Sequence, residues 1–448
     1  MRAAESVGTG LRAYPVYKDS GVPWIGQIPE GWEVQPVRRG FEVIGGTTPE
    51  SGNETFWDGD QLWATPEDIS KIEGKTLGDT RRKITQAAVD QTTLTKVQKG
   101  AILLTTRAPI GNLALTAEPM TFNQGCKALI PRAHLEANFG YYALKAATPV
   151  LQAFGKGTTF MELSGGALKA FSVPVPPLHD QQAIIAFLDR ETTRIDDLLL
   201  EQEGLLEDLK VRRQTLSSAA VTGTLVPQKT AMRTVENIGS IPEHWEVWKL
   251  KRLADVRSGV TKGRDFKGQA VREVPYLRVA NVQDGYLDLE DVATILIGAD
   301  ELERYALQPG DVLMNEGGDN DKLGRGAVWR GEVSPCVHQN HVFSVRPHAV
   351  ESEWLALINS SDYAKFFFFV NSKQSTNLAS ISSSTIKELP VVVPPKNERL
   401  EILTEVEKQH TQLDQLVSEV RASMELMRQH RSALITAAVT GKIDVRPK

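Results

Sequence analysis

The chain is written twice, and that duplication constrains its fold more than any single motif does. Residues 25–39 read IGQIPEGWEVQPVRR and residues 238–252 read IGSIPEHWEVWKLKR, identical at nine of fifteen positions with an offset of 213. The same offset pairs Gly46 with Gly259, Thr48 with Thr261, Trp63 with Tyr276 and Ile69 with Val282. Further along it drifts, to 210 for Gln98–Gly100 against Gln308–Gly310 and 215 for Gln124 against Gln339. From there it is 218, carrying VPVPP (173–177) onto VVVPP (391–395) and AAVTG (219–223) onto AAVTG (437–441). Small insertions in surface loops produce such a drift. Two copies of this length are a duplication, not a short-period solenoid.

Each copy has the same order of elements. Short β-branched and aromatic runs such as Ala101–Thr106 and Asp311–Met314, broken by Gly, Pro, Asn and Asp, predict strands and turns. Short helices are expected near 139–147 and 353–358. A double proline, Pro176–Pro177 or Pro394–Pro395, then stops a strand, and a long helical pattern follows with an acid, Asp180 or Glu398, in its first turn. A 4-3-4-3 spacing selects Ile184, Leu188, Ile195, Leu198, Leu205, Leu209 and Leu216 in the first helix. Adding 218 selects Ile402, Val406, Leu413, Leu416, Val420, Met427 and Leu434 in the second. A period of 3.5 is a coiled-coil seam. Glu191 with Gln409, and Arg212 with His430, are polar at shared seam positions. One helix packing on its own domain would show a similar stripe, but two matched seams in one chain favour pairing with each other. The expected fold is therefore α/β (α+β), internally duplicated with pseudo-two-fold symmetry, its two mixed domains joined by an antiparallel coiled coil. The boundaries are a disordered tail (1–16), a first mixed domain (17–177), a central helix (178–226), a second mixed domain (227–395) and a C-terminal helix (396–448).

At 448 residues the chain exceeds one hydrophobic core. No run approaches the ~18 apolar residues of a membrane span; the longest candidate is Phe366–Val370. Met1–Ala13 lacks an apolar signal core, so a cytoplasmic location without membrane association is expected. Cys126 and Cys336 alone make neither a disulfide framework nor a cysteine metal site. Net charge is −5, yet residues 71–107 carry eight basic and three acidic side chains, and residues 249–278 nine and three. Such a run can be merely a solvated face. Its recurrence in both copies points instead towards nucleic acid.

No catalytic constellation is complete. There is no Asn-Pro-Pro-aromatic loop, and Gly74-Lys75-Thr76 has Ile69 where a phosphate loop needs glycine. Asp68, Glu73 and Lys75 suggest a metal nuclease only faintly, and their counterpart region 281–288 lacks the lysine. His338 and His341 have no second ligand pair nearby. DNA contacts are expected in polar loops after strands: Thr105, Thr106, Arg107, Asn123 and Gln124 in the first copy. In the second they are Arg278, Asn281, Asn315, Glu316, Asp319, Asn320, Lys322, Arg325 and Gln339. Arg can grip guanine, Asn and Gln adenine, and carboxylates cytosine. Two more loops, with Lys156, Thr158 and Thr159 and with Lys373, Ser375, Thr376 and Asn377, suit phosphate. The same residues also serve turns for conformational reasons alone. Trp32, Trp63 and Trp245 are expected in the core.

Trp24-Ile25-Gly26 with IPEGWEV, a Gly-rich strand region, VPxPP and a heptad helix ending AAVTG, all repeated, resemble the specificity subunit of type I restriction–modification enzymes. The resemblance runs from about Tyr17 to Val445. It implies a non-catalytic subunit that reads a bipartite double-stranded DNA target with an unspecified gap. It implies two modification subunits carrying S-adenosylmethionine, and restriction subunits carrying the nuclease and an ATP- and magnesium-dependent translocase; no cofactor is expected on this chain. A helix of ~40 residues rises ~60 Å, enough to hold reading domains one DNA turn apart. An independent bipartite DNA-binding adaptor is the alternative.

Overall fold

The computed structural model describes residues 12–72, 74–155, 162–225, 230–263, 265–266, 270–318, 323–374 and 379–447. It divides into unit 1, residues 1–202 with 422–448, and unit 2, residues 203–421.

In unit 1 five strands lie in the order Phe41–Gly45, Cys126–Pro131, Ile102–Thr105, Leu113–Thr116 and Thr76–Leu77. All neighbours are antiparallel except the last pair. Alternate residues of a strand face opposite sides. Ile102 and Leu104 accordingly join the cluster around helix Ala137–Ala153, while Leu103 joins Ala64, Ile69, Met120 and Phe122. A strand covered on both faces reads as an unbroken apolar run, as this one does. In unit 2 the order is Ala254–Ser258, Val342–Pro347, Val312–Asn315 and Gly326–Val328, all antiparallel. Val312 and Met314 face one cluster and Leu313 another. The strands expected at 101–106 and 311–314 are thus present, and the expected short helices are Ala137–Ala153 and Ser352–Ser360.

Three repeated motifs meet in one place in each unit. In unit 1 the indole Nε1 of buried Trp32 donates to Asp180 Oδ2 at 2.9 Å, at the start of helix Leu178–Val221. Gly441, just past the end of helix Lys396–Val439, presses on the same tryptophan: a Cβ there would lie 2.3 Å from Pro29 Cδ and 3.1 Å from Trp32 Cζ3. Unit 2 repeats this, Trp245 Nε1 donating to Glu398 Oε2 at 3.0 Å while a Cβ on Gly223 would lie 2.4 Å from Pro242 Cδ. Both glycines have positive φ, 71° and 76°, the left-handed turn that ends a helix. The helices therefore stop at Val221 and Val439, short of the expected 226 and 448.

The two long helices run antiparallel within each unit. In unit 1 Asp196 pairs with Arg431 at 2.9 Å while Asp180 is 3.8 Å from Arg446. In unit 2 Arg213 pairs with Asp414, and Ser217 meets His410 at 3.4 Å. Of the expected seam, Ile184, Leu188, Ile195, Leu209, Ile402, Val406, Leu413, Val420 and Leu434 are buried, and Leu198, Leu216 and Met427 are half-buried. Leu205 and Leu416 are not seam residues, being 41% and 46% exposed, and Arg212 and His430 are exposed too. Thr192, Ser217, Met424 and Ile435 are buried instead. A straight helix has 3.6 residues per turn, so a strict 3.5 pattern drifts out of phase. The helix ends also pack on the domains, which widens their buried face.

The tail expected over 1–16 is ordered in its last five residues; residues 1–11 lie outside the described residues. Tyr14 is buried edge-on against Trp32 at 5.6 Å, and Asp444 N donates to Arg12 O at 2.7 Å. Asp444 is some 430 residues from Arg12 in the sequence, beyond any local pattern. Among the described residues no helix is long and apolar enough to cross a membrane.

Gly223→Ala should destabilise unit 2 by roughly 1–3 kcal/mol, from left-handed strain plus a methyl against the Pro242 ring. Gly204→Ala, inside the helix with nothing within 4 Å, should instead stabilise by up to about 1 kcal/mol. Denaturant midpoints check both. Burial first, then Arg213, lowers the His410 imidazole from 6.5 to about 4. The unfolded chain binds this proton more readily, so stability is complete above 6.5 and is lost as pH falls from there towards 4. His410→Leu should flatten that part of the stability–pH curve.

Candidate nucleic-acid interface

In unit 1 the strand Ile102–Thr105 ends beside the turn at Asn123–Gly125. Thr105 and Thr106, expected as DNA contacts, are 0% exposed. Thr105 Oγ1 donates to Pro109 O at 2.6 Å and accepts from Asn112 N at 3.0 Å, closing the loop. Thr106 gives both its N–H (2.8 Å) and its hydroxyl (3.2 Å) to Gly125 O. Their polar groups are spent on holding two turns together. Those turns carry Arg107 and Gln124 outward, both exposed. Arg107 Nε is 3.5 Å from Glu162 Oε2, an exposed pair worth little. Asn123 Oδ1 accepts from Gly125 N at 2.9 Å, so it braces the turn. The Thr48 hydroxyl contacts Gln124 Oε1. Gly46 is required here: a Cβ on it would stand 1.9 Å from Asn123 O.

Unit 2 repeats the scaffold with other side chains. Gly259 crosses as Gly46 does, its Cβ position 2.0 Å from His338 O. Glu316 N donates to His341 O at 2.9 Å, matching Thr106 and Gly125. Ile381 N donates to Glu316 O at 2.8 Å, as Leu163 N does to Thr106 O. Arg107 bridges to Glu162, whereas the matching strand pair is Gly317 with Ser380. The guanidinium of unit 1 therefore has a glycine in its place.

Three expected contacts in unit 2 are braces. Asn315, 1% exposed, donates to Val282 O at 2.9 Å and Val279 O at 3.3 Å. Buried Asn281 donates to Asp288 O and Asp291 O, both at 2.9 Å. Arg278 grips Asp291 Oδ2 at 2.8 Å. Glu316 pairs with His341 at 2.5 Å, and half-buried Arg325 has a buried Nε without a hydrogen-bond partner among the described residues. Gln339 is half-buried and Lys373 exposed. Lys156, Thr158, Thr159, Asp319, Asn320, Lys322, Ser375, Thr376 and Asn377 lie outside the described residues.

Two members of the faint nuclease set have structural partners. Asp68 caps helix Pro66–Ser70 with Thr65, and Lys75 pairs with Asp189 at 2.5 Å; Glu73 lies outside the described residues. Burial pushes both thiols, Cys126 and Cys336, up to about 12, far from a nucleophile's range. Burial also lowers the His338 imidazole, whose Nδ1 meets Val342 O at 2.7 Å. Among the described residues no group of His, Cys, Asp or Glu could hold a metal ion. Trp32, Trp63 and Trp245 are core residues. Sequence reasoning passed over Arg82 and Lys262, which lie over the aligned aromatics Trp63 and Tyr276, because such stacking leaves no sequence pattern.

A family model described as "Type I restriction modification DNA specificity domain" matches residues 29–203 and 242–426. The type I restriction enzyme MjaIX specificity subunit of Methanocaldococcus jannaschii is 32% identical over 266 residues, a match spanning 58% of this chain and 60% of that protein. The EcoKI specificity subunit of Escherichia coli K12 is 22% identical over 442 residues, 94% of this chain and 91% of that one. A solved chain from work on complex assembly and conformational transition of the type I R-M system covers 92% of this chain at a TM-score of 0.66 and 16% identity. That last likeness is one of fold.

Arg107→Ala should leave stability within about 0.5 kcal/mol, as for other exposed side chains. Asn315→Ala, which takes the side-chain donor from the buried Val282 carbonyl, should cost ~1–3 kcal/mol. Equal denaturant midpoints for the two variants would erase the distinction between display and brace.

Proposed function

The chain belongs to the type I restriction–modification DNA specificity family, and from that premise we propose that its two units read the two halves of one double-stranded DNA target separated by an unspecified gap. The observation that carries this is one scaffold bearing different exposed groups. Gly46 and Gly259 fix the same crossing in each unit, yet Arg107 in one aligns with Gly317 in the other. A shared backbone with unlike donors gives unlike half-sites. Arg107 and Gln124 have the planar donors that guanine and adenine accept, and Glu316 can accept from cytosine. Gln339 and Lys373, with the polar loops beyond the described residues, complete the contact set.

The chain carries no catalysis of its own in this reading. It directs two modification subunits holding S-adenosylmethionine, and restriction subunits using ATP and magnesium, to the sites it selects. Single-turnover methyl transfer by the rigorously purified chain would overturn that part.

Binding-site selection with the full chain tests the rest. The parent should yield two conserved blocks flanking unconstrained positions. Arg107→Ala should change preference within one block only, at a cost of ~1–3 kcal/mol or ten- to a hundredfold in affinity. Altered preference in both blocks would refute the assignment of one half-site to each unit.

A further inference from the structure

In unit 1 buried Trp63 donates its Nε1 to Thr47 O at 3.1 Å. Trp57 meets it edge-on, ring centroids 5.2 Å apart. The Arg82 guanidinium lies 3.9 Å over the Trp57 ring and 5.7 Å from that of Trp63. In unit 2 Tyr276 aligns with Trp63 in sequence and in bonding, its hydroxyl donating to Val260 O at 3.3 Å. Val260 is the residue that aligns with Thr47. Lys262 Nζ lies over that ring, again at 5.7 Å.

The two cations have unrelated origins. Arg82 precedes the strand Lys83–Ile84, whereas Lys262 follows the Gly259 crossing by three residues. One duplicated framework has therefore acquired a positive charge over the same ring by two routes. Both side chains are exposed. Each ring is tied to the loop that reaches Gln124 or Gln339: Thr48 contacts Gln124, and Val260 is bridged to Gln339. Each cation is thus linked, through its ring, to the loop that holds Gln124 or Gln339.

Aromatic stacking fixes a cation without neutralising it and leaves the N–H groups at its edge for an anion. What the two units share is charge, not donor geometry, since one cation is a planar fork and the other a compact ammonium. Bidentate reading of guanine favours the fork, whereas a phosphate oxygen accepts either. We propose that Arg82 and Lys262 are equivalent phosphate anchors, one in each unit, which fix the position of the duplex and read no base. This rests on the DNA-reading function proposed above.

The test measures binding of the full chain to its selected duplex and to an unrelated duplex across a salt series. Arg82→Gln and Lys262→Gln should each reduce the slope of log affinity against log salt by about one. Each should weaken both duplexes by the same factor and leave the selected bases unchanged. Arg82→Lys, keeping the charge, should keep the parent slope. Should Arg82→Gln disturb the tryptophan corner, Lys262→Gln in its exposed loop gives the same reading in unit 2. An unchanged slope in a folded variant, or an altered base preference, would overturn the proposal. A parent chain that binds no duplex would instead sink the DNA-reading function itself, and the anchors with it.

Discussion

Each unit is assembled around a buried tryptophan that hydrogen-bonds an acid in the first turn of a long helix. A buried indole N–H needs an acceptor, and the first turn of a helix favours negative charge. Trp32 with Asp180, and Trp245 with Glu398, meet both needs with one bond. The glycine that ends the opposite helix then packs against the same ring, where no larger residue fits. IPxxW, the acid after the double proline, and AAVTG are far apart in sequence and form one structure in space. In each unit the junction ties the start of one long helix and the end of the other to the same tryptophan.

A framework held this way tolerates divergence on its surface. The hydrogen bonds that tie Leu163 to Thr106 and Thr106 to Gly125 recur as Ile381 to Glu316 and Glu316 to His341. All are backbone bonds, so side chains can change without cost to the scaffold. The buried braces diverge as well, provided each polar group finds a partner. Gln181 donates to Pro176 O at 2.9 Å in unit 1; Arg399 takes that role in unit 2, donating to Pro394 O at 3.1 Å and pairing with Glu351. The buried charge of Arg399 has half-buried Glu351 as its counter-charge, and such pairing is the condition for burying it at all.

The sequence made the duplication, both long helices, the main strands and the core tryptophans legible, because each rests on periodicity or on a repeated motif. It did not reveal which side of a turn each polar residue faces. Thr106 and Arg107 are neighbours with similar surroundings in the sequence; one is spent on Gly125 and the other displayed. Asn281 and Asn315 have the residue type of an adenine reader, but the amide of Asn281 holds the carbonyls of Asp288 and Asp291, and that of Asn315 the buried carbonyl of Val282. Phase along the helices was lost for a similar reason. A strict 3.5-residue spacing keeps one phase, while the buried face shifts by one residue at Thr192 and Ser217 in the first helix and at Met424 and Ile435 in the second.

The way the helices are shared has a consequence for how the chain folds. Unit 2 is one continuous stretch, 203–421. Unit 1 needs residues from both ends of the sequence: Tyr14, Trp32 and Ile184 share a cluster with Leu434, Val439 and Ile443. Closing so long a loop costs entropy before any contact repays it. Until residues 434–443 are available, the Trp32 face of unit 1 lacks the side chains that cover it, and an uncovered apolar face favours association with other chains. The ion pairs Asp196–Arg431 and Asp444–Arg446, with Arg446 reaching towards Asp180, gather just where that closure is made. The closing segment can be this short because the junction it completes needs from it only a helix end, a glycine and a few apolar side chains.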